Sequence, residues 1–235
     1  MGINKRLEPA LNRTMRVLVA DDHLMFRQGL RALLESQPDV EVVGEAGDGR
    51  SAVKMTAELK PDVVVMDVSM PDLNGIDATR QILSSHTNGK TPKVIALSAH
   101  SDEHMAGEML AAGACGYVLK TSAFPELVAA LSTIMAGKVY LSPTLPHILE
   151  KSAQSAAEGI TASASRRLSP REREILQLLA EGKAMKEVAS ILNVSIKTVE
   201  THRRTMMSKL GLYSVAELTK YAIKEGVTSL EMPRR

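Results

Sequence analysis

The segment Asp62-Val63-Val64-Val65-Met66-Asp67 restricts the fold more than any other stretch of the chain. Four consecutive apolar residues, three of them β-branched, leave no wet face. A strand of this kind is covered on both sides, as in a parallel sheet sandwiched between helices. Short apolar runs at 16–20, 40–46, 62–67, 93–98 and 115–120 alternate with helical patterns over 24–36, 49–58, 74–85, 102–112 and 124–137. Five such units predict a doubly wound five-stranded parallel sheet with helices on both faces. In the first helical stretch Phe26, Leu30, Leu33 and Leu34 recur at core spacing.

The strand ends carry chemistry. Asp67 closes the third run, and Asp21 and Asp22 follow the first. In a parallel α/β sheet the carboxyl ends of neighbouring strands share one crevice, which is where ligands bind. Three acids there raise one another's pKa unless a cation neutralises them, and an all-oxygen set suits a hard ion such as Mg2+. Ser98 ends the fourth run and Lys120 the fifth. With strand order 2-1-3-4-5, all five residues line one rim. Taken singly, each has a plainer reading: a helix-dipole pair for Asp21-Asp22, a turn residue for Ser98, a solvated charge for Lys120. Asp67 fits least well there, because a buried unpaired carboxylate is costly. His23 reads as a surface residue at a helix start, and Cys115 as a small core residue.

After residue 137 the pattern changes. Residues 138–167 read as a linker, with 151–165 small and polar, and residues 1–15 as an N-terminal extension whose first fourteen residues precede a second possible start at Met15. From 168 to 230 only helical signals appear. Ser169-Pro170-Arg171-Glu172 is a capping box, a second helix covers 184–192, Ser195 caps a third that ends at Gly211, and Ser214 opens a fourth. Four short helices in tight succession predict a bundle containing a helix-turn-helix. On a helical wheel Ile196, Val199, Met206, Met207 and Leu210 form a core stripe. Lys197, Glu200, Thr201, Arg204, Thr205 and Ser208 cover the opposite side, the surface suited to a major groove. Arg203 interrupts the apolar stripe, so its stem is expected to be buried with the guanidinium at the edge.

Charge divides the same way. Residues 166–235 hold 14 Lys and Arg against 8 Asp and Glu, a net of +6, while 1–165 hold a net of −4 and the whole chain +2. A basic second half seeks polyanions. With 3% aromatic residues and no Trp, single-strand binding by base stacking is disfavoured. A single cysteine excludes an internal disulfide and fits a reducing cytoplasm. No apolar run reaches the length of a membrane span, and no signal-peptide core is present.

The segments ADDH, VVVMDVSMPDLNG, ALSAH and GYVLK, in this order over residues 16–137, resemble the receiver domain of bacterial two-component response regulators. Leu168 to about Gly226 resembles the LuxR-type helix-turn-helix, so the whole chain is similar to the NarL/FixJ family. The resemblance implies a flavodoxin-like receiver followed by an all-α DNA-binding domain. It implies Asp67 as phosphoacceptor, with Mg2+ held by Asp22, Asp67 and the Ser69 backbone carbonyl and by Asp21 through water. It implies Lys120 and Ser98 as phosphoryl partners and Tyr117 as the switch aromatic. Leu24 departs from the proline many relatives carry after the acidic pair. In the helical domain Glu200, Thr201 and Arg204 hold the base-reading positions, and Lys186, Lys197, Thr198, Arg203 and Lys209 are candidates for DNA contact. Val215, Leu218 and Ala222 form a short apolar stripe on the last helix, which reads either as core or, as the resemblance implies, as the face by which relatives dimerise on DNA. The implied partners are double-stranded DNA, a sensor histidine kinase and a second copy of the chain.

Two rivals differ in class. One is a Mg2+-dependent aspartyl phosphatase. Such enzymes want a carboxylate two residues after the nucleophile, where this chain has Ser69. The other is a constitutive DNA-binding regulator whose receiver is only a dimerisation scaffold, which leaves the acid set without a use.

The wheel generates one test. Arg204→Ala relaxes base preference, since a bidentate guanine contact gives about 1–3 kcal/mol of discrimination. Lys197→Ala weakens all sites and lowers the salt slope by about one. Titration of specific and random duplexes at several salt concentrations checks both. Equal losses on the two duplexes for Arg204→Ala would contradict the assignment.

Overall fold

A computed structural model describes residues 14–85, 91–99, 101–145 and 168–229. The N-terminal extension to residue 13 and the polar stretch 151–165 lie outside the described residues. The first domain runs β1 (Met15–Ala20), α1 (Leu24–Glu35), β2 (Val40–Ala46), α2 (Gly49–Leu59), β3 (Val63–Asp67), α3 (Gly75–Ser85), β4 (Lys93–Ser98), α4 (Glu103–Ala111), β5 (Gly116–Leu119), α5 (Ala123–Met135) and β6 (Tyr140–Leu141). A single 3-10 turn, Lys120–Ser122, joins β5 to α5. All strand pairs are parallel, in the order β2-β1-β3-β4-β5-β6.

Two boundaries differ from the sequence reading. Met15 already pairs with Val40, so the extension ends one residue earlier than expected. At the other end, Tyr140–Leu141 adds a sixth strand on β5 and Leu145 is buried, so the segment assigned to a linker from 138 is structured at least to 145. Two residues of strand between Gly137 and Pro143 are too short for periodicity to reveal.

The continuous Val runs divide by parity into two cores. Val17, Val19, Val63, Val65, Ile95, Leu97 and Val118 meet Leu30 and Leu34 of α1 and Leu127, Leu131 and Ile134 of α5. Leu18, Val64, Met66, Val94, Ala96 and Tyr117 meet Ala52 of α2, Ile76 and Ile82 of α3 and Met109 of α4. Each strand thus buries both faces, and only its carboxyl end is free to present polar groups. Cys115 is half-buried against the first of these cores.

The second domain has α6 (Pro170–Ala180), α7 (Met185–Ile191), α8 (Ile196–Leu210) and α9 (Val215–Lys224). Reciprocal capping boxes open α6 through Ser169 and Glu172 and α9 through Ser214 and Glu217. Gly211 ends α8 at φ 66°, a left-handed cap that suits glycine. The core gathers Ile175, Leu176, Leu178, Leu179, Val188, Val199, Met206, Leu218 and Ala222. Leu218 and Ala222 are therefore not a free dimer stripe: both are fully buried within their own domain, while Val215 is 43% exposed. The short stripe that faces inward is needed to close a bundle of four small helices. Ile196, expected in the core, is 44% exposed at the first turn of α8.

The polar edge of α6 lies against the first domain. Arg173 Nε is 2.9 Å from Asp77 Oδ1 on α3. Glu174 meets Arg50 at 3.2 Å and accepts from Gln81 at 2.8 Å. Gln177 enters the loop between β3 and α3. Asp77 also meets Arg80, whose other nitrogen meets Glu108 of α4 at 2.7 Å. Buried charges are tolerated when paired in this way, and removing one partner is expensive.

Leu218→Ala lowers the stability of the second domain by about 2–5 kcal/mol, as for other buried leucines, whereas Val215→Ala stays within roughly 0.5 kcal/mol. Chemical denaturation of the full chain, followed by helical circular dichroism, makes the comparison. A stable Leu218→Ala protein that had lost only self-association would restore the dimer-stripe reading.

Candidate metal centre and nucleic-acid interface

The order reversal between β1 and β3 opens a crevice at the carboxyl edge of the sheet. Asp21 and Asp22 follow β1, Asp67 ends β3, Ser98 ends β4, and Lys120 follows β5. Oxygen and nitrogen atoms of Asp21, Asp22, His23 and Asp67 lie within 4.8 Å of one another. Lys120 Nζ bridges the two buried acids, 2.8 Å from Asp21 Oδ2 and 2.7 Å from Asp67 Oδ2. It also stands 5.1 Å from the centre of the Phe26 ring. The Ser69 amide donates to Asp67 Oδ1 at 3.3 Å. The His23 amide donates to Asp21 Oδ1 at 2.8 Å, and its Nδ1 is 2.8 Å from Asp22 Oδ1. The imidazole, read from sequence as a bystander, thus stands in the cluster while remaining 55% exposed.

Gly75 fixes this geometry from behind. A Cβ there would fall 2.0 Å from the Asp67 carbonyl oxygen, and the Gly75 amide donates to Val68 at 2.9 Å. No other residue permits α3 to start so close to the strand that carries Asp67.

Burial pushes the Asp67 carboxyl up to about 7, with Asp21 adding to the rise and Lys120 opposing it. Burial works against the Lys120 ammonium, but Asp67 and Asp21 outweigh it and its pKa rises. The site thus holds one secure cation against two buried acids with a third at the rim. Asp21, Asp22 and Asp67 together bring more carboxylate than Lys120 neutralises. That surplus of hard oxygen donors fits a divalent cation such as Mg2+, which Asp22, Asp67 and a carbonyl of the adjoining loop would hold directly and Asp21 through water.

Ser98 and Tyr117 are both buried, at 2% and 0% exposure. Burial raises the Tyr117 phenol to about 12, even though a hydrogen bond with Ser98 lowers it. Tyr117 therefore points inward and contacts the Ser98 hydroxyl.

On the helical domain, Lys186, Lys197, Glu200, Thr201 and Arg204 are exposed and Thr198 is half-buried beside the Ser195 cap. Arg203 is half-buried with its Nε inside the protein, as its place in the apolar stripe required. Lys209 needs correction: its Nζ holds both carboxylate oxygens of Glu172 at 2.8 Å. That contact holds Glu172 below the ordinary carboxylate range in spite of its burial. Lys209 ties the end of α8 to the cap of α6 and is not a free phosphate contact.

The residues the sequence did not single out are Arg173, Glu174, Gln177 and Glu181. They recur at spacings of three and four on α6, which is also the signature of a solvated face. Their burial, with Arg173 at 6%, Glu174 at 8% and Gln177 at 0% exposure, is what reveals the partners.

A phosphoacceptor-type acid pocket and a basic helix-turn-helix, joined in one chain, define a response regulator. Residues 17–132 match the response regulator receiver domain, and residues 166–222 match the luxR family of bacterial regulatory proteins. The transcriptional regulatory protein LiaR of Bacillus subtilis is 41% identical over 209 residues, covering 88% of this chain and 96% of that protein. The RcsB response regulator of Salmonella typhimurium superposes with a TM-score of 0.61 at 31% identity, over 91% of this chain and 98% of that one. A structure of RcsB dimers bound to DNA matches with a TM-score of 0.54 at 30% identity, over 91% of this chain and 99% of that one. The chain belongs to the NarL/FixJ family of two-component response regulators, with a receiver and a LuxR-type DNA-binding domain. It is a regulator of transcription, not an enzyme of metabolism. Among the described residues no helix is long and apolar enough to cross a membrane.

The elevated Asp67 pKa links cation binding to pH. An acid whose folded pKa exceeds its unfolded value contributes stability that is full below about 4, the unfolded value, and is lost as pH rises through 7. Mg2+ competes with that proton, so it raises the melting temperature more at pH 8 than at pH 5.5. Asp67→Asn removes most of this difference. Thermal melts at the two pH values with and without Mg2+ decide the point, and equal increments in the unsubstituted protein would contradict it.

Proposed function

We propose that this protein is switched by phosphorylation of Asp67, with a sensor histidine kinase or a small acyl phosphate as donor. The observation that carries the reading is Lys120, held between Asp21 and Asp67 at 2.8 and 2.7 Å. A fixed ammonium beside a buried carboxylate is what a transferring phosphoryl group requires, because such transfer depends on alignment and charge neutralisation. Mg2+ held by Asp22, Asp67 and the Ser69 carbonyl, with Asp21 through water, supplies the remaining neutralisation. An Asp67 carboxylate oxygen attacks phosphorus, the bond from phosphorus to the donor breaks, and the leaving group departs with its electron pair. Lys120 turns from the carboxylate to a phosphoryl oxygen. The Ser98 hydroxyl leaves Tyr117 and donates to another, while the Tyr117 ring stays inward.

The acyl phosphate acts by shifting a population. The exposed base-reading face of α8 bears on how. Lys197, Glu200, Thr201 and Arg204 are open to solvent in the closed chain, so the receiver does not mask the reading helix as the simplest inhibitory scheme requires. The control point is pairing: phosphorylated chains form a homodimer that engages two half-sites of double-stranded DNA. That RcsB forms dimers on DNA supports this arrangement. The first domain spans 15–145 and the DNA-binding domain 168–230. The protein works in the cytoplasm, where kinase, magnesium and promoter meet.

Beryllofluoride with Mg2+ imitates the phosphoryl group at Asp67. Its addition raises the dimer fraction in sedimentation and the affinity for paired half-sites by at least tenfold, and leaves single half-site affinity within about threefold. Asp67→Asn abolishes both gains. An unchanged sedimentation profile and unchanged operator affinity would rule the switch out. A phosphate-independent Asp67→Asn protein with full operator affinity would favour the scaffold alternative.

A further inference from the structure

Gln177 lies in the helical domain, but its side chain is spent on the loop that follows Asp67. Its Oε1 accepts from the Asn74 amide at 2.8 Å and from Asn74 Nδ2 at 3.1 Å. Its Nε2 donates to the Met70 carbonyl at 2.9 Å and to Glu181 Oε1 at 2.7 Å. All the hydrogen-bonding capacity of one buried amide is thereby filled. Glu181 Oε2 accepts the Asp72 amide at 3.2 Å. Three backbone groups between Met70 and Asn74 therefore find their partners on α6 and its end. Buried backbone groups need partners, so while the helical domain is seated these contacts fix the shape of the loop, and its departure hands the same groups to water.

The same loop leads directly from the phosphoacceptor. Ser69, whose amide meets Asp67 Oδ1, precedes Met70. Asp72 sits at φ 63°, in the left-handed region that aspartate adopts more readily than most non-glycine residues. Asn74 caps the start of α3 by accepting the Asp77 amide at 2.8 Å. A cavity of about 850 Å3 is continuous between the two halves, with Asp22 and Ser69 on one wall and Glu181 and Thr228 on the other.

We propose that Gln177 is a positioning residue for the cation and phosphoryl site. Through the Met70–Asn74 loop it couples seating of the helical domain to the state of Asp67, and the seated form opposes loading. This rests on the switch reading above, in which loading of Asp67 drives pairing, and adds that the helical domain leaves its seat in that step. Coupling between two sites is reciprocal, so loosening the clasp from the helical side makes the phosphoryl site easier to load.

Two readouts on the full chain test this. The first is exchange of the Asn74 amide proton. It is protected at rest and becomes at least tenfold faster with Mg2+ and beryllofluoride. The second is the beryllofluoride concentration that half-saturates the Mg2+-loaded protein by calorimetry. Gln177→Ala lowers it by roughly fivefold or more, the scale of a typical allosteric coupling, and speeds Asn74 exchange without any ligand. Gln177→Glu keeps the acceptor for Asn74 but sets a carboxylate against the Met70 carbonyl, so it shifts both readouts in the same direction. Retained single half-site binding shows that either variant is folded. Equal half-saturation in all three proteins overturns the role of Gln177, even where wild-type dimerisation and DNA binding still respond. Should beryllofluoride leave the wild-type assembly unchanged, the switch reading falls. Gln177 is then judged by Mn2+ half-saturation from electron paramagnetic resonance, where equality between wild type and Gln177→Ala overturns it as well.

Discussion

One ammonium organises the molecule's chemistry. Lys120 stands between Asp21 and Asp67 at the point where β1, β3 and the end of β5 converge. Without it, two buried carboxylates would face each other in a low-dielectric crevice, and the strand that carries Asp67 would be expensive to bury. With it, the pocket is stable but still holds more acid than base. That imbalance is the chemical character of the site: a surplus of hard oxygen donors that suits a divalent cation. The rest of the α/β domain delivers these three side chains from strands that are buried on both faces and cannot shift independently.

The second domain is bound to that pocket by polar contacts, not by a shared apolar core. The two apolar cores of the sheet and the core of the helical bundle are separate clusters. Between them run Arg173 to Asp77, Glu174 to Arg50 and Gln81, and Gln177 to Met70 and Asn74. Contacts of this kind specify one orientation and can be exchanged for water when the domains part, so they suit an interface that opens and closes. A further chain of charges continues from Asp77 through Arg80 to Glu108 on α4, so the clasp reaches two helices of the receiver as well as its loop. The polar face of α8, with Lys197, Glu200, Thr201 and Arg204, stays exposed beside this clasp.

Much of this was legible in the sequence, and for a definite reason. The Val runs and their intervening helical periods report burial on two faces, which admits few architectures. Acids at strand ends, together with Ser98 and Lys120, mark the crevice because strand ends are the only polar exits from such a sheet. The capping boxes at Ser169 and Ser214 placed two helix starts to the residue. Where the reading failed, local pattern could not carry the information. Leu218 and Ala222 look the same on a wheel whether they meet their own core or a second copy. Lys209 reads as a free cation until Glu172 is brought beside it, although 37 residues of chain separate them. The strand Tyr140–Leu141 is too short to have a period.

The sequence by itself determined the layers, the acid pocket and the basic reading helix, because each follows from residues whose spacing matches one repeat of the backbone. Only the tertiary structure decided the use of α6. Arg173, Glu174, Gln177 and Glu181 have the composition and spacing of a face turned to water, and hydrogen-bonding side chains are satisfied equally well by water or by a protein partner. Which of the two they meet depends on how two separately folded domains come to rest, and no local pattern encodes that.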